Sequence, residues 1–246
     1  MELTKYIDDV LFLLTNPRLI RWVPHGLQIQ PNRAYRAPWI QALNIDTILD
    51  IGANVGQAAI NFCTLFPKAK VHSFEPIPDC FTQLKQVAMA FPNLSIHNFA
   101  LGDETGQIDF HQNGYSPASS ILNMSEEHVK SYPKTVESST INVPIRRLDD
   151  VITELNLPDH SRILVKIDVQ GYEKNVIAGG VHLIKQARMV VVETSIKSLY
   201  EGDSSFRDLY HMLCEHGFDY HGSLEQLIDP KTGAVLQQDA IFVNNH

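Results

Sequence analysis

The chain has 246 residues, 44% hydrophobic and 20% charged, an ordinary globular composition with enough length to bury a core. Its 20 basic and 28 acidic side chains leave a formal charge of −8, which argues against a broad nucleic-acid or anionic-membrane surface. Cys63, Cys80 and Cys214 are too far apart for a zinc knuckle or a disulfide framework, so they read as free thiols.

Residues 4–14 place Ile7, Val10, Leu11 and Leu14 at helical spacing, which predicts an amphipathic helix. Residues 1–9 are acidic and lack the basic stretch of a signal peptide, and the apolar run 10–14 is too short to cross a bilayer. The expectation is therefore a cytoplasmic protein without a membrane span. Residues 16–39, rich in Pro, Arg and Trp, show no clear period, so 1–40 is read as a helical leader or lid before a main domain at 41–246.

That domain opens on the apolar run Thr47–Ile51, which suits a buried parallel strand. A helix over Gln57–Leu65, a strand over Lys70–Phe74, a helix from Pro78 to about residue 90 and a strand over 94–99 follow. This alternation signals a parallel sheet with right-handed crossovers. Short strands at 107–111 and 140–144 flank a polar segment, 112–139, giving a hairpin-like insertion over about 107–144. Asp149 is placed to cap a helix running to Leu155, and 162–169 reads as a buried strand. A helix at 172–186 and a strand at 188–194 come next, then a helix at 206–216 capped by Ser204 or Ser205 and ended by Gly217. Two last strands, 218–221 and 240–244, surround a turn at 229–233.

The most informative stretch runs from Ile48 to Gln57: a strand, a tight turn with Gly52 and Gly56, and a helix start. Open α/β sheets present a cofactor crevice at such strand ends. Gly52 lets backbone approach a ligand, Gly56 lets the helix pack on the strand, and Glu75 ends the next strand about 20 residues on, where a carboxylate can accept ribose hydroxyl protons. A dinucleotide fingerprint wants G-x-G-x-x-G, but its middle glycine is Asn54 here and its last position is Gln57. S-adenosylmethionine has a ribose and no pyrophosphate, and Asp50 can face the ammonium of its methionine portion. A nicotinamide-dependent oxidoreductase is the weaker reading, since no Tyr-x-x-x-Lys helix is found; a binding module without turnover is weaker still.

The chain resembles the FkbM family of methyltransferases over about three-fifths of its length, residues 47–194. The motifs are Asp50-Ile51-Gly52-Ala53-Asn54-Val55-Gly56, Phe74-Glu75-Pro76, Asn98-Phe99-Ala100-Leu101-Gly102, Ser119-Ser120, Leu148-Asp149-Asp150, and the run from Lys166 to Glu173. The resemblance implies a Rossmann-like class I methyltransferase fold: α/β, with a mostly parallel seven-stranded sheet, helices on both faces and an antiparallel C-terminal strand. It implies that Asp50, Gly52, Ala53, Asn54, Gly56, Glu75, Pro76, Asn98, Ala100 and Asp168 bind the cofactor, and that Ser119 and Ser120 line the acceptor pocket. The last motif usually reads Val-Glu-Gly-Ala-Glu after its aspartate, whereas Gln170 and Tyr172 replace the first Glu and the Ala here.

The implied activity is methylation of a hydroxyl on a small molecule such as a sugar, glycoside or secondary metabolite, with N-methylation of a peptide or amine as the alternative. Methyl transfer from a sulfonium is an in-line displacement, so the enzyme must align donor and acceptor and exclude water. A hydroxyl must also lose a proton, to a base or with the help of a metal. Asp168, at a strand end, is the first catalytic candidate, followed by Glu173 and Gln170; Glu193, at the end of the next strand, is weaker. Asp168, Glu173 and Glu193 offer oxygens to a divalent cation, although nothing in the sequence requires one. The eleven histidines show no ligand spacing; His111 and His128 in the insertion are read as surface residues, and Tyr115 and Tyr132 as packing. A homodimer is compatible with the sequence.

Overall fold

Strand β1 (Thr47–Ile51), buried at all five positions, is the centre around which the chain winds. The computed structural model describes residues 33–113, 138–158, 160–196, 204–229 and 232–244, with residues 7, 10, 11, 13–17 and 20 of the leader. In chain order, α1 (Pro38–Ala42), β1, α2 (Gln57–Leu65), β2 (Lys70–Phe74), α3 (Pro78–Ala88) and β3 (Leu94–His97) form the first half. Strands β4 (Ala100–Gly102), β5 (Gly106–Asn113) and β6 (Ser138–Arg147) and the short helix α4 (Leu148–Val151) come between. Then follow β7 (Ile163–Ile167), α5 (Glu173–Gly179), α6 (Val181–Gln186), β8 (Met189–Ser195), α7 (Phe206–Glu215), β9 (Phe218–Ile228) and β10 (Val235–Asn244).

Seven strands make one sheet in the order β3-β2-β1-β7-β8-β10-β9, with β10 antiparallel to both neighbours. This is the doubly wound architecture expected, with the antiparallel strand last in sequence. Period-two alternation sends Ile48, Leu164, Met189, Val191 and Ile241 to one face, where Ile60 and Phe62 of α2 and Leu84 and Val87 of α3 cover them. Leu49, Ile51, Val165, Ile167, Val190 and Val192 point to the other face, against Val176, Ile177, Leu183, Ile184, Leu209 and Leu213 of α5, α6 and α7. Each such fully buried side chain contributes about 1.5–3 kcal/mol, which is why both faces read as near-continuous apolar runs.

The structure departs from the sequence reading in several places, each with a local cause. The strand expected over 94–99 divides, because the chain leaves the main sheet at Asn98–Phe99 and β4 joins a separate sheet ordered β4-β6-β5. Within it β5 and β6 pair antiparallel from Gly106 opposite Ile145 to Asn113 opposite Ser138, a longer ladder than 107–111 and 140–144. The helix expected over 172–186 breaks between α5 and α6, where Gly179 approaches the Gly102 carbonyl so closely that a Cβ would stand 1.8 Å from its oxygen. Asp149 does not cap its own helix: its carboxylate accepts from the His182 and Leu183 amides, at 3.1 and 3.0 Å, and so caps α6. Ser205 rather than Ser204 caps α7, in a reciprocal capping box with Asp208.

Part of the leader belongs to the core. Tyr35 and Ile40 are buried, and the Tyr35 ring meets Phe62 edge-on at 5.2 Å. Earlier, Ile7, Val10, Leu11 and Leu14 are exposed, and it is Leu13 that packs against the core. The insertion residues Tyr115, Ser119, Ser120, His128 and Tyr132 lie outside the described residues. Among those described, no helix is long and apolar enough to cross a membrane.

Two outcomes follow from this packing. Gly52 has φ +83°, and a Cβ there would lie 1.9 Å from the Asp168 carbonyl oxygen; Gly52→Ala is expected to cost about 3 kcal/mol or more in urea unfolding. The His72 imidazole, 3.3 Å from that of His97, is pushed down to about 4 by burial first and by His97 second. An unfolded histidine titrates near 6.5, so the stability this site contributes is complete above that pH and declines as pH falls toward 4. His72→Gln should flatten that acid slope by about 2–3 kcal/mol, read from unfolding midpoints between the two pH values.

Candidate active site

Strands β1, β2, β7 and β8 end on the same edge of the sheet, and the loops after β1, β2 and β7 are stitched together by backbone. The Gly52 and Ala53 amides donate to the Phe74 carbonyl, at 3.1 and 3.0 Å, and the Asp168 amide donates to Ile51 at 3.0 Å. Gly52 is needed for that junction with β7 before any ligand is considered. Gly56, with φ +98°, packs against Leu84 and Val87 of α3 rather than against the strand, correcting the reading of its role. Asn54 also takes a left-handed conformation, φ 50°, which aims its amide at Glu75 Oε2, 2.8 Å away.

Glu75 therefore holds the glycine loop to the start of α3: its other oxygen accepts from the Ile77 amide at 2.8 Å. It is buried, and burial pushes its carboxyl up to about 7 in spite of those two amides. Each oxygen retains a lone pair for a further donor. Asn98 fixes the same turn, donating its side-chain amide to the carbonyls of Glu75 and Pro76 at 2.9 and 3.2 Å. Ala53 and Ala100 are buried apolar positions beside the loop ends. Asp50 is fully buried; Ser73 donates to Oδ2 at 2.9 Å, while Oδ1 has no hydrogen-bond partner. A buried carboxylate oxygen without a donor is costly, and a ligand ammonium or hydroxyl supplies one.

A polar stripe continues from Asp50 across the face of α2 and α3. Lys166 lies beside Asp50 in the β1–β7 register, and Asp239 lies opposite Glu193 in the β8–β10 register. Lys166 Nζ reaches Asp168 Oδ2 at 2.8 Å, and Gln170 Nε2 donates to Asp168 Oδ1 at 2.9 Å and to Glu193 Oε2 at 2.5 Å. Gln170 manages both because its backbone is left-handed, φ 55°. Burial is the largest influence on Asp168 and opposes its charge, but Lys166 and the surrounding hydrogen bonds outweigh it and hold the carboxyl below its usual range. Burial likewise works against the Lys166 charge, and Asp168, Asp50 and Asp239 together keep it protonated. Glu193 is pushed well up by burial, then by Asp168, Glu173 and Asp239; burial raises Asp239 to about 6.

The sequence candidates thus separate. Asp50, Gly52, Asn54, Glu75, Asp168 and Gln170 gather at one set of strand ends, joined by Glu193. Glu173 turns away into the loop: it is buried, and its Oε1 accepts from the Val169 and Gly171 amides at 3.3 and 3.0 Å. Asp168, Glu173 and Glu193 do not fit a divalent cation, because an ammonium already sits on the first and backbone amides hold the second. No group of three or more His, Cys, Asp or Glu among the described residues is disposed for one. Lys166 and Asp239 were missed by sequence reasoning, although a lysine two residues before Asp168 shares its face of the strand. A cavity of about 770 Å³ lined by His160, Lys185 and Arg188 opens at the opposite ends of the strands, away from these groups.

The sequence profile of the Methyltransferase FkbM domain matches residues 50–220, more than half of the chain. The 2-O-methyltransferase NoeI of Sinorhizobium fredii is 35% identical over 172 residues, covering 68% of this chain and 70% of that protein. The hexuronic acid methyltransferase AglP of Haloferax volcanii is 28% identical over 149 residues, 60% of this chain and 55% of the relative, so the chain spans about half of its length. Among solved structures, Methyltransferase FkbM from Methylobacillus flagellatus superposes with a TM-score of 0.51 at 12% identity, covering 81% of this chain and 44% of that one, a likeness of fold. With the glycine loop, the strand-end carboxylates and the sheet order already in place, the chain belongs to the FkbM family and is an S-adenosylmethionine-dependent methyltransferase.

Proposed function

We propose that the chain methylates a hydroxyl oxygen of a small molecule, a sugar, glycoside or secondary metabolite, at the strand-end crevice. The observation that carries this reading is the pair of buried carboxylates at adjacent strand ends: Asp50, with an oxygen awaiting a donor, and Glu75, with a lone pair left on each oxygen. Asp50 suits an ammonium and Glu75 a ribose diol, the two polar ends of S-adenosylmethionine. Gly52, Ala53, Asn54 and Gly56 shape the loop between them, Pro76 and Asn98 hold the Glu75 turn, and Ala100 and Asp168 complete the wall. When bound, the cofactor supplies a methyl group on a positive sulfonium, already activated for displacement.

The protein's share is then to orient the acceptor oxygen, exclude water and take its proton. Oxygen is favoured over nitrogen as acceptor because the first relative is named for 2-O transfer, and a sugar acid appears in the name of the second. Ser119 and Ser120 are assigned to the acceptor side on the resemblance alone. Glu173 is given a loop-holding role in place of a catalytic one, on the strength of its backbone bonds.

Calorimetric titration with S-adenosylhomocysteine, with NAD and NADP alongside, tests the cofactor site. Binding of S-adenosylhomocysteine alone is expected, and Glu75→Ala should weaken it about tenfold or more, the worth of a charge-assisted hydrogen bond. Nicotinamide binding in its place would overturn the reading. Transfer of labelled methyl from S-adenosylmethionine to a panel of methyl glycosides of hexoses and hexuronic acids tests the acceptor. Methylation of amines and of no glycoside would defeat the oxygen assignment.

A further inference from the structure

Two carboxylates stand at neighbouring strand ends and are treated differently by their surroundings. Both oxygens of Asp168 are taken, Oδ2 by the Lys166 ammonium at 2.8 Å and Oδ1 by the Gln170 amide at 2.9 Å. Glu193 receives the same amide on Oε2, so Gln170 bridges the two carboxyl groups. Two carboxyl groups bridged by one amide lie close enough for their titrations to be linked. Asp168, gripped by a cation and an amide, is the poor base of the two. Both side chains are partly open to the crevice rather than sealed in the core.

The geometry points to Glu193 as the group that takes the proton of the acceptor hydroxyl, with Lys166, Asp168 and Gln170 as positioning residues. This rests on the hydroxyl-acceptor reading above. As the acceptor oxygen forms its bond to the methyl carbon, the sulfur–methyl bond breaks and its electron pair returns to sulfur, leaving a neutral thioether. The O–H bond breaks in the same event, and the proton passes to the Glu193 carboxylate and later to water. The charged groups acting on Glu193 are Lys166 from β7, Asp168 just after it and Asp239 from β10, with Glu173, bound into its own loop, acting through space. Three are acidic, and together with burial they raise the carboxyl toward the range where a general base works best.

Gln170 has a particular part in this. Its amide gives a proton-bearing donor to both carboxylates without adding charge. A glutamate there, the residue usual in the motif this chain resembles, would remove the donor and add a third negative charge. Gln170→Glu keeps the size of the side chain, so its effect should be electrostatic.

The test uses the full chain loaded with S-adenosylhomocysteine and carrying carbon-13 at its glutamate and aspartate carboxyls, titrated by NMR. Among the glutamate carboxyls that titrate above the ordinary range, Glu75 and Glu173 included, one should vanish in Glu193→Gln and move to higher pH in Gln170→Glu. In methyl transfer to the glycoside panel, Glu193→Gln should lower kcat about 10²- to 10⁴-fold while S-adenosylhomocysteine still binds. Gln170→Glu should move the acid limb of the kcat profile up by about one pH unit, as an added like charge does. A Glu193→Gln protein that transfers methyl near the wild-type rate overturns the assignment, as does a Gln170→Glu protein whose titration and acid limb stay in place. If the wild-type chain binds S-adenosylhomocysteine and methylates no glycoside, the acceptor reading fails instead, and the carboxyl titration still judges the pair.

Discussion

The structure depends on one close approach, that of the Gly52 backbone to the Asp168 carbonyl. It ties the loop after β1 to the loop after β7, and the Asp168 amide bond to Ile51 closes the junction from the other side. The loops after β1 and β7 are positioned from there. The turn beyond Gly52 throws the Asn54 amide onto Glu75, and the loop beyond Asp168 brings Gln170 between two carboxylates. A single side-chain carbon at position 52 would force the loop after β1 away from the loop after β7.

The charged residues follow a simple geometric rule. On the face covered by α2 and α3, the inward positions of the strands are apolar through Ile48, Leu164 and Val191, and two residues further they become Asp50, Lys166 and Glu193. Lys166 is then a cation among Asp50, Asp168 and Asp239, and its presence lets that much negative charge gather at low dielectric. The same ammonium occupies the place beside Asp168 that a divalent ion would otherwise contest.

Much of this was legible in the sequence. Local apolar runs and glycine turns gave the order of strands and helices, and the spacing from Gly52 to Glu75 matched two adjacent strand ends that meet in the structure. What escaped was non-local. The periodicity of 172–186 runs unbroken through Gly179, and only its contact with Gly102 breaks the helix. Asp149 looks like the cap of its own helix, yet it caps one more than thirty residues later. Lys166 reads as an interruption of a buried strand until it is paired in register with Asp50. Asp239 reaches the site because β10 lies between β8 and β9, a pairing that no local signal encodes.

That placement of β10 gives the chain a distinctive order of assembly. Until residues 235–244 are available, β8 is an edge strand with its outer backbone groups unpaired, and β9 has no partner in the sheet. During synthesis from the amino end, the parallel core can form while β8 stays open along one side. Closure waits for β10 to pair with β9 across the turn at 229–234 and to lay its other edge on β8, the second a non-local step of the kind that slows folding. The nascent protein is therefore most prone to misassociation late, with nearly all of its fold complete, and the strand that ends this exposure also delivers Asp239 to the crevice.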